Sequence, residues 1–242
     1  MTAEQIALVT GANKGIGFEI ARQLGEAGAV VFVGARNEAR GKTAADALAD
    51  RGVAAVALRL DVTDAESVAA AAARIERAHG RLDILVNNAG IAGGFTGPPS
   101  AATAADMREV YETNVFGVVT VTNAMLPLLR RSPAGRVVNQ SSHVGSLTLN
   151  ADPDSPMAHV SLIAYQSSKT ALNALTLAYA KELRGTPVKV NAAHPGIVAT
   201  DINGGRGQRT PAQGAVIAVR LALLDASGPS GESLSEDGPV PW

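Results

Sequence analysis

Tyr165 and Lys169 stand four residues apart in Tyr165-Gln166-Ser167-Ser168-Lys169, a spacing that carries chemistry if the segment is helical. Residues i and i+4 share one helix face, so the phenol and the ammonium address the same small volume. A free tyrosine titrates near ~10 and is a poor acid or base at neutral pH. A fixed positive charge beside it favours the phenolate and lowers that value toward a useful range. The pair is therefore a candidate proton donor to a carbonyl oxygen. Chance supplies this spacing often, so the rest of the chain has to give it a setting.

A second group of residues could hold a phosphate. In Thr10-Gly11-Ala12-Asn13-Lys14-Gly15-Ile16-Gly17, glycines fall where a backbone must turn tightly and approach a pyrophosphate. A helix opening there would aim free N–H groups at that charge. The spacing is Gly-x-x-x-Gly-x-Gly, not the Gly-x-Gly-x-x-Gly of the usual dinucleotide fingerprint. The second apolar run ends in Gly34-Ala35-Arg36-Asn37, without the acid that accepts from an adenosine ribose 2′-hydroxyl when NAD is preferred. Arg36 and Lys14 converging on a 2′-phosphate would favour NADP(H) through charge-assisted hydrogen bonds. Solvated surface cations are the plainer reading. Asp61-Val62 ends the third run, where a carboxylate could accept from an adenine amino group or cap a turn. Asn87-Asn88-Ala89-Gly90 ends the fourth, its small residues allowing a close pass by a flat ligand. A structural Asn-rich turn is nearly as good an account of Asn87.

The elements that must position these groups follow from hydrophobic periodicity. Short apolar runs at 6–9, 30–33, 53–60, 82–86, 136–139 and 188–192 are mostly β-branched and too uniformly apolar for strands with one wet face. Segments 16–27, 38–51, 65–79, 104–129 and 163–183 between them carry helical spacing. Asp64 stands where an N-cap would, and Gly28, Gly52 and Gly80 close segments as C′ glycines do. The alternation predicts an α/β fold: a Rossmann-like, doubly wound parallel sheet of about seven strands, helices on both faces, and ligands at the carboxyl ends of the strands.

With 242 residues, 46% hydrophobic and 18% charged, and no linker or internal repeat, the chain reads as a single domain over 1–242. A net charge of −1 and only 3% aromatic residues argue against nucleic acid or an anionic membrane as partner. The absence of cysteine excludes disulfides, thiolate metal sites and thiol catalysis. Met1-Thr2-Ala3-Glu4-Gln5 enters a strand-like run with no basic, apolar leader, and no run is long enough to span a bilayer. A soluble, cytoplasmic protein is expected.

Taken together, Thr10-Gly11-x-x-x-Gly15-x-Gly17, Asp61-Val62, Asn87-Asn88-Ala89-Gly90, Asn114, Ser142, Tyr165-x-x-x-Lys169 and Pro195-Gly196-x-Val198-x-Thr200 resemble the classical short-chain dehydrogenases/reductases over most of the chain. Within that family the chain is most similar to the NADPH-dependent carbonyl reductase branch. The glycine loop, Ala35-Arg36, and the tail from Leu221-Ala222-Leu223-Leu224 to Trp242 carry that likeness. The resemblance implies that Tyr165 gives a proton to the substrate oxygen during reduction. Lys169 would lower its pKa and hold the nicotinamide ribose, Ser142 would hydrogen-bond the substrate oxygen, and Asn114 would anchor a water in a proton relay. Pro195, Gly196, Val198 and Thr200 would line the nicotinamide, with Thr200 near its carboxamide. Gly11, Asn13, Lys14, Gly15, Ile16, Gly17, Arg36, Asp61, Val62, Asn88, Ala89 and Gly90 complete the implied cofactor site.

Elementary chemistry agrees, because hydride transfer to a carbonyl builds negative charge on oxygen and needs donors aimed there and one proton. Strand alternation puts Ser141 and Ser142 on opposite sides, so only one can serve. Local reasoning leaves that choice even, and Ser142-x-x-Gly145 matches the family pattern. Asn114, inside a predicted helix, could equally satisfy neighbouring backbone groups. The expected activity is NADPH-dependent reduction of a small-molecule ketone, aldehyde or quinone. The other readings are a catalytically silent NADP-binding sensor and an NAD-dependent secondary alcohol dehydrogenase.

Two segments depart from the family. The stretch between Ser142 and Tyr165 is intermediate in length, includes a polar loop over 150–157, and leaves monomer or homodimer open. His143 and His159 flank that loop, where packing or exposure suits them better than substrate contact. After Thr200, three glycines in 201–209 predict a minimal, mobile cover and an open pocket.

Overall fold

Strand β1 (Ile6–Thr10) is buried at every residue, as a strand covered by helices on both faces must be. The computed structural model describes residues 4–242. After β1 come α1 (Gly15–Glu26), β2 (Val30–Ala35), α2 (Glu38–Ala49), β3 (Ala55–Arg59), α3 (Ala65–His79) and β4 (Ile84–Asn87). The second half holds α4 (Ala104–Tyr111), α5 (Gly117–Leu129), β5 (Arg136–Gln140), α6 (Leu147–Ala151), α7 (Ile163–Glu182) and β6 (Lys189–Ala193). It closes with α8 (Pro211–Ala222), β7 (Ser233–Ser235) and β8 (Gly238–Pro239). All eight strands join one sheet in the order β3-β2-β1-β4-β5-β6-β7-β8. Every pairing is parallel except β7 with β8.

The winding reverses between β1 and β4, and such a switch point leaves a crevice outside the carboxyl ends of the strands. Alternate side chains feed two cores. Ala7 and Val9 of β1 pack with Ile20, Leu24, Ile217 and Leu221 on the α1/α8 face. Ile6 and Leu8 pack with Ile75, Met125, Leu129 and Leu183 on the α3/α5/α7 face. Asp64 caps α3 as expected, accepting from the N–H groups of Glu66 and Ser67, and Gly80 ends it in the left-handed region at φ 71°.

The helix expected over 104–129 is interrupted. Its middle, Glu112–Phe116, is a π-helical turn, a local widening by one residue that α-periodicity does not announce. Part of the segment expected as polar loop is helical, since α6 runs through Asn150 and Ala151 behind a Ser146 cap. Helix α8 carries its own signal, a Thr210–Gln213 capping box with Pro211 at the first turn. Strands β7 and β8 are too short to show a pattern. No described helix is long and apolar enough to cross a membrane.

Candidate active site

A cavity of about 780 Å³ opens along the carboxyl ends of the strands and brings the glycine loop, the ends of β2 to β5 and the start of α7 to one place. Gly11, Asn13, Lys14, Gly15, Ile16, Gly17, Arg36, Asp61, Val62, Asn88, Ala89, Gly90, Tyr165, Lys169, Pro195 and Thr200 all border it. Asn114, Ser142, Gly196 and Val198 do not.

The glycines have separable tasks. Gly15 adopts φ 58°, and a methyl there would meet nothing nearer than Thr200 Cγ2 at 3.8 Å, so its bare face looks into open space. Gly17 is a packing glycine: a Cβ would lie 2.4 Å from Asn88 Nδ2 and 2.6 Å from the Gly11 carbonyl. The extended residue before α1, Lys14, supplies no side-chain cap, so the helix start offers backbone N–H groups to an anion.

Behind the loop, Thr10 and Asn88 fasten β1 to β4. Thr10 Oγ1 accepts from the N–H groups of Asn88 and Ala89 at 3.0 and 2.9 Å, and Asn88 Nδ2 donates to the Thr10 carbonyl at 2.8 Å. Asn87 is structural, donating to Thr122 Oγ1 and Asn139 Oδ1 inside a buried polar network. Asp61 accepts from the N–H and hydroxyl of Thr63, the turn role, while still bordering the cavity.

Arg36 is exposed at the cavity edge and makes no ion pair among the described residues. Lys14 is engaged, its ammonium paired with the carboxylate of Asp201 across the cavity mouth. That contact holds the exposed Asp201 carboxyl below its usual range. Asp201 was not among the sequence candidates, although it follows Thr200 directly.

At the reacting end, Ser141 Oγ donates to Asn173 Oδ1 at 2.6 Å in a buried contact and is committed there. Ser142, two residues beyond β5 rather than at its end, lies close enough to the Tyr165 hydroxyl to lower its pKa. Burial pushes the Tyr165 phenol up to about 12, and Ser142 only partly offsets it. Tyr165 keeps some surface at the cavity. Burial brings Lys169 down to about 8. Its ammonium donates to the Gln140 carbonyl at 2.7 Å and lies 5.5 Å from the Tyr165 ring centroid. The lowering of Tyr165 expected from Lys169 is not seen: burial raises the phenol, and only Ser142 acts the other way.

Asn114 sits in the π turn and is buried. Its Oδ1 accepts from Ile91 N–H at 2.9 Å, and its Nδ2 donates to the Ile91 carbonyl and Ser168 Oγ at 2.9 and 3.0 Å. The side chain thus has both donors committed and staples the loop after β4 to α7. A methyl on Gly90 would lie 3.3 Å from Asn114 Oδ1 and 3.7 Å from Lys169 Nζ, which places all three together.

Past β6, His194 bonds Ser233 Oγ at 2.8 Å and packs 5.2 Å from the His143 ring. Burial, with His143 nearby, drives it down to about 3, so it is neutral at ordinary pH. His159 is exposed. Pro195 and Thr200 face the cavity, whereas Val198 is buried against Gly214, where a Cβ would lie 2.5 Å from Val198 Cγ2. Gly196 adopts φ 77° beneath the Arg209 side chain. The cover after Thr200 is short but tied down: Ala199 N–H donates to the Arg209 carbonyl, and Gly207 is pressed on the Val198–Ala199 backbone.

Gln140 also borders the cavity and was not singled out from sequence. The signal was available, because a polar residue ends an otherwise apolar strand next to Ser141-Ser142.

The model of the short chain dehydrogenase family matches residues 5–210. The chain is 35% identical to carbonyl reductase (NADPH) 1 of Bos taurus, covering 98% of each. It is 37% identical to (-)-isopiperitenone reductase of Mentha piperita, covering 94% of this chain and 95% of that protein. Its structure is similar to NADPH-bound carbonyl reductase from chicken fatty liver, with TM-score 0.85, 29% identity and full coverage of both chains. By its matched motifs, its sheet order and these relatives, the chain belongs to the short-chain dehydrogenase family.

Proposed function

We propose that this chain is an NADP(H)-dependent carbonyl reductase, a single catalytic unit over 1–242. The observation that carries the reading is the convergence of Tyr165 and Lys169 on the cavity that also holds the glycine loop and Arg36, with Ser142 just behind Tyr165. The cofactor fits the residues present. Gly15 leaves open space where a side chain would stand, the uncapped start of α1 suits a pyrophosphate, and unpaired Arg36 suits a 2′-phosphate. Carbonyl reductases named for NADPH among the relatives support the same choice.

When bound, NADPH supplies the hydride. The protein's own residues handle oxygen and proton. Ser142 donates to the substrate oxygen and holds it near the Tyr165 hydroxyl, where negative charge develops. Tyr165, protonated at neutral pH with a pKa pushed up to about 12, gives its proton to that oxygen. Lys169 would hold the nicotinamide ribose hydroxyls and stabilise the phenolate left behind. Ile202, half exposed at the rim, favours an apolar carbonyl compound.

The test is NADPH oxidation over a panel of diketones, aldehydes and quinones, run beside NADH. Turnover with NADPH is the expected outcome. Tight NADPH binding with no turnover on any of them would favour a silent NADP-binding sensor instead.

A further inference from the structure

His194 follows β6 with 1% of its surface exposed, and its two ring nitrogens are used unequally. Nε2 lies 2.8 Å from Ser233 Oγ of β7, whereas Nδ1 is buried with no partner in hydrogen-bond geometry. A neutral imidazole carries one N–H, and a Ser233 hydroxyl that donates to Nε2 leaves that hydrogen on Nδ1. A buried donor without an acceptor is costly, so the group nearest Nδ1 is the one to identify. Gln140 pairs with Ala193 at the end of the β5–β6 ladder, and Ser141 N–H donates to the Ala193 carbonyl. His194 therefore stands beside the turn that opens at Ser142, and its ring packs against His143 in that turn. The Ser142 backbone carbonyl is near enough to act on the imidazole. It accepts from Gly145 N–H at 2.9 Å, which leaves its second lone pair for another donor.

Resting on the carbonyl reductase reading above, we propose that His194 is a positioning residue for Ser142, holding its backbone carbonyl from the imidazole Nδ1. Helix α7 already limits the turn. A Cβ on Gly145 would lie 2.7 Å from Lys169 Cβ, so the turn is pressed on that helix, and His194 confines it toward β6. The Ser142 hydroxyl makes no capping bond to the short helical turn it precedes, so within that turn only the backbone fixes where Oγ stands. A donor that stabilises charge on a reacting oxygen works only where it is held, and misplacement costs rate. Ser233 belongs to β7, which pairs with β6 at Ala192 and Ala193, so the contacts from Ser233 through His194 tie that strand to the reacting end. The plainer account, a core histidine satisfied by Ser233 alone, leaves Nδ1 unexplained.

The test exploits side-chain length in the full chain. Asparagine places its amide near the position of Nδ1 and glutamine near that of Nε2, so the two substitutions separate the nitrogens. His194→Gln and His194→Leu should each lower kcat about tenfold with a simple diketone, while His194→Asn stays within about threefold of wild type. NADPH affinity, read by equilibrium fluorescence titration, should stay within about twofold for all three, as for an interaction realised in the transition state. In a Ser142→Ala background the glutamine substitution should cost no further turnover, because residues that act as one unit do not add. Turnover that follows the thermal midpoint of the three variants, not the position of the amide, would reduce His194 to core packing and overturn the proposal. Equal turnover in the asparagine and glutamine variants, at any level, would overturn it too, as would losses that multiply with Ser142→Ala. If the leucine variant does not fold, the asparagine and glutamine pair decides alone. Wild type that turns over no carbonyl compound with NADPH would instead sink the reductase reading and this inference with it.

Discussion

The Lys169 ammonium lies 5.5 Å from the centroid of the Tyr165 ring and donates, at 2.7 Å, to the carbonyl of Gln140 and not to the phenol. The i, i+4 pair shares one face as helical spacing demands, but the charge is anchored to the sheet. Strand β5 therefore fixes where the ammonium stands, and a ligand entering between the two residues meets a cation already in place.

Tyr165→Phe removes the proposed proton donor, the hydroxyl beside Ser142. Turnover should fall by about 10³-fold or more, the range for loss of a general acid. NADPH affinity, measured by fluorescence titration, should change less than about twofold. Turnover above about a tenth of wild type would take the proton-donor role from Tyr165.

Burial of Lys169 should be visible as pH-dependent stability. Its folded value, about 8, lies below its ordinary 10.5, so between these the unfolded chain binds more protons and stability rises with pH. Tyr165, raised from 10.0 to about 12, acts in the opposite sense above pH 10. Urea unfolding at pH 8 and pH 10 should show wild type gaining about 2–3 kcal/mol from this group, a gain absent in Lys169→Met. Equal slopes for both proteins would show that the ammonium is not desolvated in the folded state.

Arg36→Asp combined with Lys14→Ala should raise the KM for NADPH by about 10- to 100-fold and barely move that for NADH, since each lost charge-assisted bond is worth about 1.5–3 kcal/mol. Asp201→Asn frees Lys14 from its ion pair and should lower the KM for NADPH modestly at low salt. An unchanged cofactor preference in the double variant would mean that these cations serve only solubility.

Gly17→Ala has no room, with Asn88 Nδ2 and the Gly11 carbonyl both within 2.6 Å of the added carbon. The glycine loop must shift, costing about 1–3 kcal/mol and lowering the thermal midpoint by about 2–4 °C per kcal/mol. Gly15→Ala meets no neighbour but must hold φ 58°, and it should hurt cofactor binding more than stability. Matching behaviour of the two variants in both assays would erase the distinction between packing and cradle.

The β/α alternation, the glycine loop and the Tyr165–Lys169 pair were legible because each is written in local spacing. What escaped depends on contacts across the chain. Lys14 meets Asp201 from 187 positions away, a pairing no periodicity records. Strand β7 forms from Ser233–Ser235 only because β6 leaves an unpaired edge. Local spacing left Ser141 and Ser142 even and the family pattern alone favoured Ser142, whereas the bond that commits Ser141 comes from Asn173 across the chain. Asn114 carries its family position, yet its side chain does what the blander account proposed and ties Ile91 to Ser168. Helix α8 is a different case, since Thr210, Pro211 and Gln213 form a readable start.

The π turn at Glu112–Phe116 gives the central helix one residue more than an α-helix of the same reach requires. Deleting one residue there would let the helix close into regular geometry while rotating everything upstream by about a quarter-turn relative to α5. The sheet and both cores could survive such an edit, but Asn114 could no longer face Ile91 and Ser168. At this point in the chain, whether the protein folds and whether its pocket is assembled become two separate questions, decided by a single amino acid.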